Sequence, residues 1–141
     1  MIGDSLVNSI VTALNGAIGT VPGPASKGAE SYAERAKKDG CEAGPYSPEA
    51  YDAAALTLLA MQAANSKDSN AVKAKVFDVA NAPGTKILPG ELAKGLQILK
   101  DGGEIDYVGA TAVELIGAGE SAGSYREILV KDGKNTTVRY R

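Results

Sequence analysis

The stretch at residues 51–61 most constrains what this chain of 141 residues can fold into. It follows Ser47, Pro48 and Glu49, which suit an N-cap, a first helical turn and the positive end of a helix dipole. The sequence therefore predicts a helix here, and this helix is apolar on nearly every side. A helix of that kind is buried over most of its circumference, so whatever covers it decides the fold.

The other predicted elements do not include a sheet of matching size. Apolar spacing predicts further helices at residues 4–15, 26–39, 70–80 and 91–100. Residues rich in β-formers predict strands at 17–21, 111–116, 125–130 and 135–140, with Asp132-Gly133 as a hairpin turn. In a parallel α/β protein each apolar helix covers a sheet, usually with one strand per helix. Two alternatives remain open: partner strands outside this chain, which we favour, or a self-sufficient α+β domain.

Composition excludes several classes of function. The chain contains no His, which excludes Ser-His and Cys-His nucleophile pairs and His-containing metal sites. Cys41 is the single cysteine, which excludes an intramolecular disulfide and a thiolate cluster. With 15 Lys and Arg against 17 Asp and Glu, the chain is no polycationic nucleic-acid binder. We therefore expect no metal, no cofactor and no nucleic-acid partner.

Two short motifs match serine hydrolases. Gly3-Asp4-Ser5-Leu6 resembles the nucleophile block of GDSL esterases, and residues 119–123 match the G-x-S-x-G nucleophile elbow. Both families take the serine proton with a histidine, which this chain lacks. A helix N-cap at Asp4 and a Gly-rich turn at Ser121 are the simpler interpretations. We predict that the protein is not an enzyme.

The stretch from Gly44 to Pro48 is a candidate binding element. A turn followed by a helix N-terminus presents free N–H groups and a partial positive charge, which suit an anionic ligand group. Tyr46 could add an aromatic wall to such a site. The other interpretation is that Tyr46 packs in the core and Gly44-Pro45 sets the turn, and composition and spacing alone favour that second interpretation.

Four segments, taken in order, resemble the periplasmic substrate-binding proteins of branched-chain amino acid (Leu/Ile/Val) ABC transporters. Residues 15–23 are similar to the strand that crosses between the lobes of that family. Gly44-Pro45-Tyr46 and residues 50–53 resemble the PY…YDA opening of its long C-terminal helix. Residues 103–110 resemble its IDY-x-GA link, and residues 123–134 resemble its terminal hairpin. The resemblance covers the whole chain but only the later part of the family's length.

This resemblance implies an α/β fold that is part of a type I periplasmic-binding-protein fold. The expected chain is rich in helices, with a short crossing strand and a C-terminal antiparallel hairpin. Residues 1–15 would be a remnant helix of the second lobe, residues 16–107 a segment of the first lobe, and residues 108–141 a crossing and the C-terminal strands.

The implied function is binding of a solute, an amino acid or an amide, for uptake through an ABC permease. Tyr46, Ser47 and Pro48 are the positions carried over as ligand-binding, and the family is periplasmic or extracytoplasmic. The groups that bind the ligand ammonium and carboxylate would lie upstream of this sequence, so we expect a truncated chain that binds poorly alone. Because the first residues show no signal peptide, we expect a cytoplasmic or unknown location for the chain as it stands. The alternative is a structural or interaction domain that self-associates to cover its apolar helix.

Overall fold

A computed structural model describes residues 8–41, 43–117 and 119–141, without the side chain of Val11. A 3-10 helix at Val11–Leu14 is followed by α1 (Lys27–Lys38), α2 (Ser47–Ala64), α3 (Ser69–Ala80) and α4 (Leu92–Lys100). The strands are β1 (Ile18–Pro22), β2 (Thr85–Ile87), β3 (Ile105–Tyr107), β4 (Leu115–Gly117), β5 (Glu120–Ser121), β6 (Tyr125–Lys131) and β7 (Lys134–Tyr140). None of the described helices is long and apolar enough to cross a bilayer. The chain forms two compact units, with residues 25–122 in one and the flanking segments in the other.

The smaller unit is built on an antiparallel sheet with the strand order β1-β6-β7. Asp132 and Gly133 both have positive φ, at 51° and 68°, which is the geometry of a tight hairpin turn. Ile128 and Val130 on β6 are buried. The predicted strand at 17–21 and the predicted C-terminal hairpin are therefore confirmed. The helix predicted at 4–15 is described only from residue 8, so its Asp4 cap and the esterase-like block lie outside the described residues.

The larger unit has its core between α2, α3, α4 and a parallel pair of strands, β2 and β3. The largest fully buried side chains of this core are Leu59, Val79, Ile87, Ile105 and Tyr107. Helix α1 is peripheral, because only its Gly28 and Ala36 are buried. The Ser26 hydroxyl accepts a hydrogen bond from the Ala29 N–H at 3.2 Å and caps this helix.

The described residues cover only one face of helix α2. Asp52, Ala55, Leu59 and Ala60 are buried, whereas the face with Ala53, Ala54, Thr57 and Leu58 is exposed. In the described chain the parallel sheet has two strands of three residues each. The prediction that this helix is buried over most of its circumference is therefore wrong for the described chain.

One predicted strand is wrong over most of its length. Residues 111–116 contain β-formers, but strand β4 begins only at Leu115 and residues 109–112 form a turn. Ala112 has a positive φ of 54°, which a strand residue does not adopt. Thr111 instead donates its N–H and its hydroxyl to the Asp52 carboxylate. A tertiary contact therefore overrides the local β-propensity.

Candidate ligand-binding site

The N-terminal end of α2 lies at the carboxyl edge of the parallel sheet. Tyr107 is the last residue of β3, and its hydroxyl donates a hydrogen bond of 2.8 Å to Asp52 Oδ1 in the second turn of α2. In open α/β sheets, ligands bind outside the carboxyl ends of the strands. This contact therefore ties the second turn of α2 to the edge where a ligand site is expected, and Tyr46 and Ser47 precede that turn in the chain.

Asp52 is the centre of a buried hydrogen-bond network that fixes this edge. Its side chain is only 2% exposed. Oδ1 accepts from the Tyr107 hydroxyl and from the Ala110 N–H, both at 2.8 Å. Oδ2 accepts from the Thr111 N–H at 2.8 Å and from the Thr111 hydroxyl at 2.7 Å. Four donors therefore replace the water that the carboxylate gives up on burial.

The network also controls the ionisation of Tyr107 and the shape of the chain beside it. Burial, and after it the neighbouring Asp52 charge, raise the pKa of the Tyr107 phenol far above its ordinary value of 10.0. The phenol is therefore a permanent donor to Asp52. Gly109 has a positive φ of 60°, and a Cβ atom there would collide with Asp52 and Tyr107. Glycine at this position lets the backbone come close enough for the Ala110 N–H to reach the carboxylate.

Helix α1 and the chain after β2 pack around the same edge. A Cβ atom on Gly28 would collide with the Gly109 carbonyl, so α1 approaches this backbone directly. The rings of Tyr32 and Tyr51 lie with their centroids 5.4 Å apart at an angle of 58°. The Tyr51 hydroxyl accepts a hydrogen bond of 3.1 Å from the Gly90 N–H. Consecutive residues of α2, Tyr51 and Asp52, thus anchor its N-terminal part to two different loops.

The three residues carried over from the family stand at the first turn of α2. Tyr46 is the N-cap, with a left-handed backbone (φ 67°) and a side chain that is 54% exposed. Ser47 and Pro48 are the first two helical residues. The prediction that Ser47 is the N-cap is wrong: the Tyr46 carbonyl accepts the first hydrogen bond of the helix, from the Ala50 N–H at 3.0 Å, which places the cap one residue earlier. The interpretation of Tyr46 as a core residue is also wrong, because its ring is exposed.

The helix N-terminus offers few N–H groups to an anion. Pro48 has none, the Ser47 N–H is taken by Gly44, and the Ala50 N–H is taken by the Tyr46 carbonyl at 3.0 Å. The Glu49 carboxylate also lies in the first turn, and its Oε2 is buried without a described hydrogen-bond partner. The hydroxyls of Tyr46 and Ser47, which make no hydrogen bond with the described part of the chain, are the groups left for a ligand.

The hydrolase-like motif at residues 119–123 does not form a nucleophile elbow. Ser121 lies in β5, and the chain continues into β6 rather than into a helix. Its hydroxyl contacts the carbonyls of Glu114 and Ala122 at 3.3 and 3.1 Å. Among the described residues, no group of three or more His, Cys, Asp or Glu side chains could hold a metal ion.

Comparison with known proteins gives two similarities. The chain is 33% identical over 112 residues to the chemotactic signal transduction system substrate-binding protein BasB of Halobacterium salinarum, covering 79% of this chain and 27% of BasB. It superposes on the crystal structure of the leucine-binding protein LivK of Thermotoga maritima with a TM-score of 0.67 at 17% identity. That match covers 97% of this chain and 34% of LivK. The chain has part of a type I periplasmic-binding-protein fold.

The predicted α/β fold class is thereby confirmed. The similarity to BasB supports the family of substrate-binding proteins that the sequence resembles, and the similarity to LivK shows the fold. No protein-family model matches the chain. The chain spans about a third of the length of LivK and about a quarter of the length of BasB. Both relatives are named for binding, and neither is named for a catalysed reaction.

Asp52 and Tyr107 are the residues that sequence reasoning missed. They are 55 positions apart, so no local pattern joins them. The available signal was a carboxylate inside an otherwise apolar helix, because a buried charge needs hydrogen-bond partners elsewhere in the chain.

Proposed function

We propose that this chain supplies one wall of the ligand cleft of a substrate-binding protein of the branched-chain amino acid type. Tyr46, Ser47 and Pro48 form that wall, and the solute is an amino acid or an amide. The solute is handed to an ABC permease, in the periplasm or another extracytoplasmic space. The protein binds its solute and does not transform it.

The chain corresponds, in this proposal, to the C-terminal portion of such a protein. Residues 1–15 belong to the second lobe, residues 16–107 to the first lobe, and residues 108–141 to a crossing and the last strands. The low share of LivK and BasB that the chain spans supports only the statement that it corresponds to part of such a protein; the C-terminal position rests on the four sequence segments that resemble the family. The remaining cleft walls and the groups for the ligand ammonium and carboxylate then belong to other polypeptide.

The observation that carries the ligand-site proposal is the position of Tyr46 and Ser47. They open α2, whose second turn is tied to Tyr107 at the end of β3 through Asp52. Tyr46 holds a left-handed backbone at a non-glycine position, a strained conformation that is common at ligand sites. Its exposed ring and the adjacent Ser47 hydroxyl offer one apolar surface and two hydrogen-bonding groups to a small zwitterion.

A second candidate differs only in the partner that receives the loaded protein. BasB, which is 33% identical to this chain, is named for chemotactic signal transduction. The same solute site would then report to a signalling system instead of feeding a permease. Both candidates share the binding step, which is the step that the site residues can test.

Calorimetry tests the part of the proposal that concerns the missing walls. Leucine, isoleucine, valine and leucinamide are each titrated into the purified chain. We expect no micromolar binding, because one wall without the ammonium and carboxylate groups recovers little of the binding free energy. Micromolar binding by the chain alone would show that it holds a complete site.

Photochemical labelling tests the wall itself. The chain is irradiated with a diazirine analogue of leucine at millimolar concentration, and labelled peptides are identified by mass spectrometry. We expect label in the peptide that contains Tyr46, with a strong decrease in Tyr46→Ala. Tyr125→Ala is the matched control, because Tyr125 is 47% exposed in the other unit. Equal labelling of peptides across the surface would contradict the assignment.

A further inference from the structure

A groove on the larger unit is not used by the proposed ligand site. It lies between α2, α3 and the β4–β5 hairpin and has a volume of about 850 Å³. Its apolar lining comes from Met61, Val72, Val76, Phe77 and Ile116. Ile116 is 65% exposed, and Phe77 is also exposed. Contiguous apolar surface of this kind on a protein marks an interaction site.

The two chain segments that border this groove carry charges of opposite sign. Lys67 and Lys73 line it on the side of α3. Glu114 and Glu120 are not among the lining residues; they lie next to and within the β4–β5 hairpin that carries Ile116, and both are exposed. None of these four side chains forms an ion pair with another described residue.

We propose that this groove is the interface of a symmetric dimer of the chain. In an isologous contact each copy offers the same surface, so every residue pair occurs twice. A two-fold axis through the groove places the acidic hairpin of one copy against the basic α3 side of the other, and the reverse. Ile116 of each copy then packs against the apolar lining of its partner's groove.

The surface fits a second copy because it contains both halves of the contact. It has a protruding isoleucine and an apolar groove, and it has two lysines and two glutamates without an ion-pair partner among the described residues. The groove does not include Tyr46 or Ser47, so the dimer can be tested independently of the proposed solute binding.

Sedimentation equilibrium of the full chain tests the dimer. We expect a monomer–dimer equilibrium for the wild type, and Ile116→Asp should raise the dimer Kd about a hundredfold by burying a charge where an isoleucine was buried. Val138→Asp is the matched control, because Val138 is 53% exposed on β7 in the other unit, and it should leave Kd unchanged. A monomeric wild type at submillimolar concentration overturns the proposal, and so does a dimer that Ile116→Asp leaves intact.

Charge reversal gives a test that misfolding cannot imitate. In the variant Lys67→Glu/Lys73→Glu both sides of the groove are acidic, and in Glu114→Lys/Glu120→Lys both are basic. Each variant alone should be more monomeric than the wild type, because like charges then face each other across the axis. An equimolar mixture should form heterodimers, and this association should weaken as salt is added. Failure of the mixture to associate, with both variants folded by circular dichroism, would contradict the two-fold arrangement.

Discussion

Replacing Asp52 by alanine should remove the contact that holds the candidate site together. The carboxylate accepts hydrogen bonds from Tyr107, Ala110 and Thr111 at 2.7–2.8 Å. An alanine side chain at this position would accept none of them. Tyr107 and Ala110 are fully buried, so water cannot simply replace the lost oxygens.

The cost follows from the donors left without a partner. An orphaned buried donor costs about 1–3 kcal/mol. With the Tyr107 hydroxyl and the Ala110 N–H both orphaned, we expect the free energy of unfolding to fall by about 4 kcal/mol. That is a large share of the roughly 5–15 kcal/mol that stabilises a typical domain.

Urea unfolding followed by far-ultraviolet circular dichroism measures the effect, provided that the m-value is unchanged. Asp78→Ala is the matched control, since Asp78 pairs with Lys75 at an exposed position of α3. It should cost no more than about 0.5 kcal/mol. Equal midpoints for the two variants would refute the claim that Asp52 organises this edge.

A double-mutant cycle separates the Tyr107 contact from the others. Tyr107→Phe alone should cost about 1.5 kcal/mol, because a charged acceptor loses one of its four donors. In the Asp52→Ala background the same change should be neutral or stabilising, since it removes an orphaned hydroxyl. Additive costs would show that the two side chains do not interact.

Three further predictions concern pH and close packing. Burial raises the pKa of Tyr107 above its ordinary value of 10.0, so the contribution of this phenol to stability is complete below pH 10. As the pH rises beyond 10 this contribution is lost, by about 1.4 kcal/mol per pH unit. Urea midpoints above pH 10 should therefore fall more steeply with pH in the wild type than in Tyr107→Phe. Hydrogen bonds from two arginine side chains lower the pKa of Glu127 from 4.5, so the wild type should lose stability relative to Glu127→Gln as acidification passes that value, measured by acid titration of circular dichroism. Gly28→Ala should cost more than about 2 kcal/mol in urea unfolding because its Cβ would meet the Gly109 carbonyl, whereas Gly44→Ala has room and should cost much less.

The parts of the fold that local signals control could be predicted from the sequence. Apolar spacing located α1, and Asp132-Gly133 located the hairpin between β6 and β7. Strands β2 and β3 could not be found in this way, because three residues are too few to show an alternating pattern. They are strands because Ile87 and Ile105 are buried against helices distant in the sequence.

The candidate site could likewise be predicted from the sequence only in part. The resemblance to a known family pointed to Tyr46, Ser47 and Pro48, and the structure places them at the start of α2. The left-handed backbone of Tyr46, which moves the cap away from Ser47, is set by the turn before it and is not visible in residue types. The link between Asp52 and Tyr107 depends on the packing of α2 against β3, so it emerged only in three dimensions.

Amide shifts in a ¹⁵N-labelled sample, recorded while leucine is added to millimolar concentration, test the central claim most directly. If the start of α2 is a wall of the solute cleft, the largest changes should fall on Tyr46, Ser47 and Glu49. The Ser69–Asn70 start of α3, which Asp68 already caps, should stay unchanged. Shifts that are absent at Tyr46 and Ser47, or that are equally large at the start of α3, would contradict the account.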